Sequence, residues 1–237
     1  MHGWHHGSVN VGPALVEGIR KHHEELTARL RRIAEENGHD PARLNVVGVT
    51  KTHPVEVVRA ALAAGITRLG ESRVQEAEPK IEAVPGAEWH FIGRLQSNKA
   101  RRAVRAFAVI HSVDTIELLR RVDEIAASEG RAPRILLQVN VSGEVGKAGM
   151  DASALAEVEQ PTTARLVGLM TIAPMHAGEE GARSVFAGLR GLRDALQERM
   201  GQALPELSMG MSADAEAAAA EGATLVRIGT ALFGPRG

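Results

Sequence analysis

Short apolar segments alternate with longer amphipathic stretches along almost the whole of this 237-residue chain. The first apolar segment, residues 44–49, is too short for a helix and rich in β-branched residues, which predicts a buried parallel strand. Later strands are predicted at residues 66–69, 89–92, 108–111, 135–140, 166–171, 207–209 and 224–228. Helical spacing marks residues 15–36, 54–64, 116–127, 181–200 and 213–221.

Roughly eight strand–helix units follow one another, which is typical of an α/β protein built as a single (β/α)8 TIM-type barrel. No dinucleotide-type G-x-G-x-x-G follows the first strand, and this disfavours an open Rossmann sheet. We therefore expect one domain over residues 13–237 with an extra N-terminal helix, and a disordered tail at 1–12. The tail carries His2, His5 and His6, but no nearby carboxylate or fixed geometry favours a metal site.

Composition excludes several classes of function. Lys and Arg total 28 against 29 Asp and Glu, so the net charge of -1 gives no general attraction to nucleic acid or to an anionic membrane. The chain contains no cysteine and no tyrosine, which removes thiol nucleophiles, thiolate metal sites and phenol acid/base groups. No apolar run approaches the roughly 20 residues of a membrane span, and we expect a cytoplasmic protein.

Lys51 directly follows the first predicted strand, in the segment Val47 to Pro54. The C-terminal ends of strands hold the active sites of TIM barrels. An ammonium at the end of an apolar strand loses hydration, which lowers its pKa and favours the neutral amine that attacks an aldehyde. Lys51 is therefore a candidate for Schiff-base formation, and the alternative is a lysine that only reaches solvent at the barrel rim.

A phosphate site is predicted at the last two strand ends. Ser212 stands between a strand and a predicted helix, and Gly229-Thr230 follow the final strand. The N-terminus of a helix offers unpaired N–H groups and positive dipole, so these residues suit a phosphate, although Ser212 alone would be an ordinary cap and Gly229 an ordinary turn. Arg227 alternates with its apolar neighbours and points into the barrel mouth or outward. A buried guanidinium needs an acceptor, and a pyridine nitrogen would be suitable.

These segments resemble the pyridoxal phosphate homeostasis protein family, also called the proline-synthetase co-transcribed family. The resemblance extends from Val47 to Gly234 and rests on many motifs in the same order. They are Val49-Thr50-Lys51-Thr52, Leu69-Gly70-Glu71, Val74-Gln75-Glu76, Trp89-His90-Phe91-Ile92-Gly93, Leu95-Gln96-Ser97-Asn98-Lys99, Gly168-Leu169-Met170-Thr171-Ile172, Ser208-Met209-Gly210-Met211-Ser212 and Val226-Arg227-Ile228-Gly229-Thr230-Ala231-Leu232-Phe233-Gly234.

The resemblance implies a monomeric barrel like the N-terminal domain of alanine racemase, with pyridoxal 5'-phosphate held as an aldimine on Lys51. It also implies that Arg227 faces the pyridine nitrogen and that Ser212, Gly229 and Thr230 hold the phosphate. Its function would be to maintain cellular pyridoxal phosphate and to supply it to apo-enzymes.

Three positions depart from the family pattern or leave a role open. Ser72 stands where the family often has asparagine, His53 stands where some members have lysine, and Lys147 is either a secondary site or a solvated loop lysine. His90 and His111 sit beside strand ends, where hydrogen-bonded structural histidines are favoured over catalytic bases.

The alternative function is an amino-acid racemase of the alanine racemase type. A two-base racemase needs a second acid/base group opposite the lysine. By resemblance this group would be a tyrosine, or a cysteine in related decarboxylases, and the chain has neither. A histidine could replace it. A phosphosugar-type aldolase with Lys51 as its own imine former is a third possibility. We favour a cofactor carrier without catalytic turnover.

Overall fold

Eight parallel strands close into a barrel in the order in which they occur along the chain. The computed structural model describes residues 12–144 and 146–234. The strands are β1 Asn45–Val49, β2 Arg68–Glu71, β3 Glu88–Phe91, β4 Val109–Val113, β5 Arg134–Gln138, β6 Arg165–Met170, β7 Glu206–Ser208 and β8 Leu225–Ile228. The predicted (β/α)8 barrel is confirmed.

Helices cover the outside of the barrel. They are α1 Pro13–Glu36, α2 Val55–Ala63, α3 Val74–Ala83, α4 Ala100–Ala106, α5 Ile116–Glu129, α6 Gly178–Met200, α7 Ala215–Ala220 and α8 Thr230–Phe233. Helices α3, α4 and α8 were not predicted from the sequence. Pro79 lies inside α3, and the other two have 7 and 4 residues, so their helical periodicity is weak.

The barrel is closed by pairing between β1 and β8, in which Val47 lies opposite Arg227 and Gly48 opposite Ile228. Apolar side chains from alternate strand positions fill the barrel interior. This inner cluster consists of Val47, Val109, Leu136, Met170 and Leu225. The larger apolar core lies between the strands and the helices.

The extra helix α1 lies across the outside of the closure and packs on α2, α7 and α8. Its buried residues Ile19, Leu26, Leu30 and Ala34 recur at intervals that place them on one helical face. This face covers the helices that flank β1, which precedes Lys51, and β8, which carries Arg227.

Residues 12–144 and 146–234 contain neither a membrane-spanning helix nor a metal-binding cluster. No helix there combines the length and the apolar character needed to span a bilayer. No cluster of three His, Asp or Glu side chains there has the arrangement of a metal site. The tail predicted at residues 1–12, with its histidines, falls almost entirely on residues 1–11, outside the described part of the chain.

Candidate functional site

Lys51 lies in a tight turn at the carboxyl end of β1 and is half-buried. The amide of Thr50 continues the sheet by donating to Gly70 O at 3.0 Å, and His53 N closes the turn on Thr50 O at 3.1 Å. Thr52 adopts a φ of 67°, the single left-handed non-glycine residue among those the structure describes. The sequence placed Lys51 at the barrel mouth, and the fold agrees.

Gly229 and Thr230 lie beside the end of β1. A Cβ added to Gly229 would be 3.4 Å from Val49 O, only two residues before Lys51. Gly229 is the N-cap of α8, and its carbonyl accepts from Leu232 N and Phe233 N at 2.9 and 3.0 Å. The amides at the start of this helical turn have no acceptor within the helix, and exposed Thr230 adds a hydroxyl. These donors face the same rim as Lys51.

Ser212 occupies the loop after β7, and it is not the ordinary helix cap that was the alternative to a phosphate ligand. Asp214 holds the N-cap position of α7, and its carboxylate accepts from Met211 N at 2.6 Å. Ser212 lies in the exposed turn before the cap, so its hydroxyl is not committed to the helix. The loop is fixed to β8 because Arg227 N donates to Gly210 O at 3.0 Å. The three strand ends that carry Ser212, Gly229 and Lys51 are therefore consecutive around the barrel.

Arg227 points into the barrel, which settles the choice that the sequence left open. It is 4% exposed, and its guanidinium donates to Ser208 Oγ at 2.5 Å and to Thr171 O at 2.9 Å. Within residues 12–144 and 146–234, no carboxylate lies within ion-pair distance of it. Burial lowers the pKa of Arg227 to about 10, against a raising effect of the more distant Asp214. The cation thus remains charged but is poorly compensated.

A chain of hydrogen bonds crosses the barrel interior from Arg227 to the opposite end. Ser208 Oγ lies 2.7 Å from His111 Nδ1, and His111 Nε2 lies 2.8 Å from His90 Nδ1. His90 Nε2 lies 2.9 Å from Glu88 Oε1, at the first residue of β3. The expectation that both histidines are hydrogen-bonded and structural agrees with these contacts, but the sequence did not indicate that they form one chain.

The ionisation of Glu88 sets the direction of every hydrogen in this chain. The hydrogen bond from His90 lowers the pKa of Glu88 to about 2, despite an opposing effect of burial, and Arg134 and Arg68 add to the lowering. Burial lowers the pKa of both His90 and His111, so both rings are neutral near pH 7. An ionised carboxylate only accepts, so His90 donates to Glu88, His111 donates to His90, and Ser208 donates to His111. Ser208 Oγ is thereby left to accept from Arg227.

A cleft of about 1020 Å³ opens at the same rim between α1 and the loops that follow β5, β6 and β7. Ser212 lines it, and it reaches α8 at Ala231. Lys51, Arg227, Gly229 and Thr230 are not part of its wall. The structure therefore brings the predicted residues to one rim, with Ser212 at the side of the open cleft and the other four deeper or beside it.

The structure shows the contacts of Lys147, His53 and Ser72, the three positions whose roles the sequence left open. Lys147 lies on the cleft wall, and its ammonium is 2.9 Å from Glu144 Oε2. The ring of His53 makes an edge contact with Phe233 at a centroid distance of 5.4 Å. Ser72 presents its backbone to Gly93, where an added Cβ would lie 2.1 Å from Ser72 O. Lys80, which is buried beneath the Lys51 turn, was not predicted from the sequence, because no local pattern distinguishes it from a solvated surface lysine.

Comparison with known proteins assigns the chain to a family. Residues 22–237 match the model of the alanine racemase N-terminal domain. A pyridoxal phosphate homeostasis protein of Pseudomonas aeruginosa is 44% identical over 229 residues, which are 94% of this chain and 96% of that protein. One from Aquifex aeolicus is 42% identical over 214 residues, covering 88% and 94%.

Solved structures agree with this assignment. The PipY protein of Synechococcus elongatus, solved with pyridoxal phosphate bound, is 41% identical and superimposes with a TM-score of 0.77 over 87% of this chain and 100% of that one. Alanine racemase from Corynebacterium glutamicum has a TM-score of 0.71 at 15% identity, over 93% of this chain and 62% of that one, and shares the fold. The chain belongs to the pyridoxal phosphate homeostasis protein family.

Proposed function

We propose that this protein binds pyridoxal 5'-phosphate covalently through Lys51 and holds it for supply to apo-enzymes, without catalytic turnover. One observation carries the proposal: the amine of Lys51 and the amides of the Gly229-Thr230 turn lie at neighbouring strand ends of one barrel rim. The relatives at 44% and 42% identity are named for pyridoxal phosphate homeostasis, and the PipY protein was solved with this cofactor.

The residues present suit the three functional groups of the cofactor. An aldehyde needs an amine, which Lys51 supplies. A phosphate dianion needs several N–H and O–H donors, and half-buried Gly229, exposed Thr230 and exposed Ser212 offer amides and hydroxyls of this kind. A pyridine nitrogen needs a donor, and the guanidinium of Arg227 has five N–H groups of which two are used in the contacts given above.

When bound, the cofactor supplies an aldehyde that condenses with amines and a ring that withdraws electrons. Arg227 limits the second property, because a cation that donates to the ring nitrogen disfavours its protonation. The hydrogen-bond chain behind it supports this limit, because Ser208 accepts from Arg227 and donates its one hydroxyl hydrogen to His111, so that hydrogen is not available to the ring nitrogen. The residues of this site therefore favour storage of the aldehyde over stabilisation of carbanions.

The absence of tyrosine and cysteine supports a role without turnover. The phenol and thiol acid/base groups that the racemase alternative calls for on the face opposite the lysine are missing from the chain. His90 and His111 are fully buried in the hydrogen-bond chain, with both ring nitrogens of each engaged. They are thus committed to Arg227 and Glu88 and do not replace the missing group.

The covalent site is tested by absorbance and by chemical trapping. Purified protein mixed with pyridoxal phosphate is expected to gain an absorption band in the near-visible region, and borohydride followed by peptide mass mapping is expected to fix the adduct on Lys51. Lys51→Ala should abolish the band, whereas Lys147→Ala, which removes a lysine on the cleft wall, should retain it. An adduct that maps to another lysine in the wild-type protein would refute the site.

The carrier and racemase alternatives are separated by incubating the loaded protein with single L-amino acids in heavy water. We expect no steady incorporation of deuterium at the α-carbon and no D-enantiomer. Catalytic accumulation of either product would establish an enzyme. Transfer is tested separately, by mixing the loaded protein with a cofactor-free aminotransferase and measuring the recovery of that enzyme's activity.

A further inference from the structure

A buried ammonium lies directly beneath the turn that carries Lys51. Lys80, on α3, has a side chain only 6% exposed. Its Nζ donates to Thr50 O at 2.9 Å, to Glu71 Oε1 at 2.8 Å and to Glu76 Oε1 at 2.9 Å. An ammonium has three hydrogens, so all of its donors are used. A lysine on a surface helix ordinarily extends to water, and here the whole side chain is turned inward.

The acceptors of Lys80 hold the backbone on both sides of Lys51. On one side, the carbonyl of Thr50 accepts from Lys80, and Thr50 Oγ1 donates to Glu71 Oε1 at 2.7 Å. On the other side, the amide of Thr52 donates to Glu76 Oε1, the same oxygen that accepts from Lys80. Lys51 therefore lies between Thr50, which binds the Lys80 ammonium directly, and Thr52, which is connected to that ammonium through Glu76.

The conformation of Thr52 explains why its amide needs the hydrogen bond to Glu76. Its φ of 67° lies in the left-handed region, which β-branched residues strongly avoid. Without a partner that holds its amide, the turn would relax to an ordinary conformation, and the direction of the Lys51 side chain would change with it. Glu76 provides this partner and is itself half-exposed, so its position depends on Lys80.

The two carboxylates that contact Lys80, Glu71 and Glu76, depend on its positive charge. Glu71 is fully buried, one of its oxygens has no hydrogen-bond partner within the described residues, and burial raises its pKa against the opposing effect of Lys80. For Glu76, partial burial acts to raise the pKa, but the hydrogen bonds from Lys80 and Thr52 lower it overall. Removal of the cation would leave two carboxylates at one place without compensation.

We propose that Lys80 is a positioning residue for Lys51: it fixes Thr50 and Thr52 so that the amine between them points to the mouth of the barrel. This inference rests on the proposed function of Lys51 as the amine that binds the cofactor. Lys80 itself has no access to the rim and acts through Glu76 and the two threonines.

The first test uses the protein without cofactor. Amide hydrogen exchange of Thr52 is measured in the wild type, in Lys80→Met and in Glu76→Ala, which removes a half-exposed side chain and should fold. We expect exchange to rise about tenfold or more in both variants, as for the loss of a charge-assisted hydrogen bond. Glu76→Gln keeps an acceptor oxygen and should remain close to the wild type.

Arg190→Met is the matched control. The guanidinium of Arg190 on α6 also binds a carbonyl and a carboxylate, Glu221 O at 2.8 Å and Glu221 Oε2 at 3.0 Å, but outside the barrel and directly after α7. This variant should leave the exchange of Thr52 within about twofold of the wild type, as expected for an independent site. Equal exchange of Thr52 in Lys80→Met, Arg190→Met and the wild type would overturn the inference.

The second test measures the rate at which the near-visible band appears when pyridoxal phosphate is added. We expect Lys80→Met and Glu76→Ala to load about tenfold more slowly, with Glu76→Gln and Arg190→Met close to the wild type. Loading at the wild-type rate in Lys80→Met would refute positioning while leaving the proposed function intact. A wild type that forms no band at all would instead refute the proposed function, and the exchange experiment would still decide whether Lys80 fixes the turn.

Discussion

Arg227 keeps its charge inside the barrel although none of the described carboxylates contacts it, and the buried histidines explain how. Both of its bonded partners are neutral, Ser208 Oγ and Thr171 O. Each of the two histidines has one tautomer that fits and Ser208 has one hydroxyl orientation that fits, so the dipoles of the hydrogen bonds align with their negative ends toward the guanidinium. Aligned hydrogen bonds polarise one another in a low-dielectric interior. Glu88 therefore stabilises a cation that it does not touch.

His111→Asn tests the neutral state of this chain through the pH dependence of stability. Burial holds the pKa of His111 well below 6.5, so below pH 6.5 the unfolded ring binds a proton that the folded ring does not. The wild type should therefore lose stability as pH falls from 7 to 5, by up to about 1.4 kcal/mol per pH unit for each such histidine. The variant should show a smaller slope in urea unfolding across this range.

The control for that slope is His176→Asn, which changes an exposed histidine in the loop after β6. It should retain the wild-type pH dependence. An unchanged slope in His111→Asn would mean that the ring is protonated in the folded protein, and the directions assigned to the hydrogen bonds would then be wrong.

Close backbone contacts between elements account for two of the glycines in the family motifs. A Cβ on Gly168 of β6 would lie 1.9 Å from Glu206 O of β7, next to a break in the register between β5 and β6. Gly93, after β3, meets the backbone of Ser72 in the same way. In both cases the neighbour is backbone and not a flexible side chain, so the two backbone segments must separate to admit a methyl group.

Gly168→Ala is therefore expected to destabilise the protein by at least about 3 kcal/mol, above the usual cost of overpacking, because a main-chain atom must move. Urea unfolding measures the change. Gly191→Ala is the matched control, because nothing lies within 4 Å of a Cβ at this exposed position in α6. Alanine in a helix interior should stabilise it by roughly 0.5 to 1 kcal/mol. Similar free energies of unfolding for the two variants would contradict the contact at Gly168.

Local sequence predicted the elements better than the side chains that join them. Strand β2 was expected at residues 66–69 and is found at Arg68–Glu71. The prediction ended the strand too early because a charged residue such as Glu71 is rarely buried at a strand end. Its burial depends on Lys80, nine residues later, and no local pattern reveals that pair. The inward direction of Arg227 was likewise undecidable, since both faces of a barrel strand are buried.

The placement of the whole site within one barrel leads to a prediction about assembly. Lys51, Ser212, Arg227, Gly229 and Thr230 all lie on β1, β7 and β8 or directly after them. No second subunit is needed to complete the set, so we expect a monomer that binds one cofactor. Light scattering should give a mass near 25.2 kDa with and without pyridoxal phosphate. A dimer that forms only on binding would show that a partner contributes to the site.

Glu88 ends the hydrogen-bond chain that runs through the barrel from Arg227. Its ionisation should affect the free energy of unfolding of the whole protein at acid pH. Its pKa is about 2 in the folded protein against an ordinary value of 4.5, so its contribution is complete above pH 4.5 and is lost as pH falls toward 2. After discounting for partial exposure, this contribution is on the order of 1 to 2 kcal/mol. In Glu88→Gln, the difference in unfolding free energy from the wild type should shrink over this range.

Glu129→Gln, which changes a carboxylate paired with Arg101 and Arg105 outside the barrel, should show a smaller pH-dependent difference. If the two variants behaved alike, Glu88 would be an ordinary surface partner of Arg68 and Arg134, and Arg227 would have to be stabilised by other means.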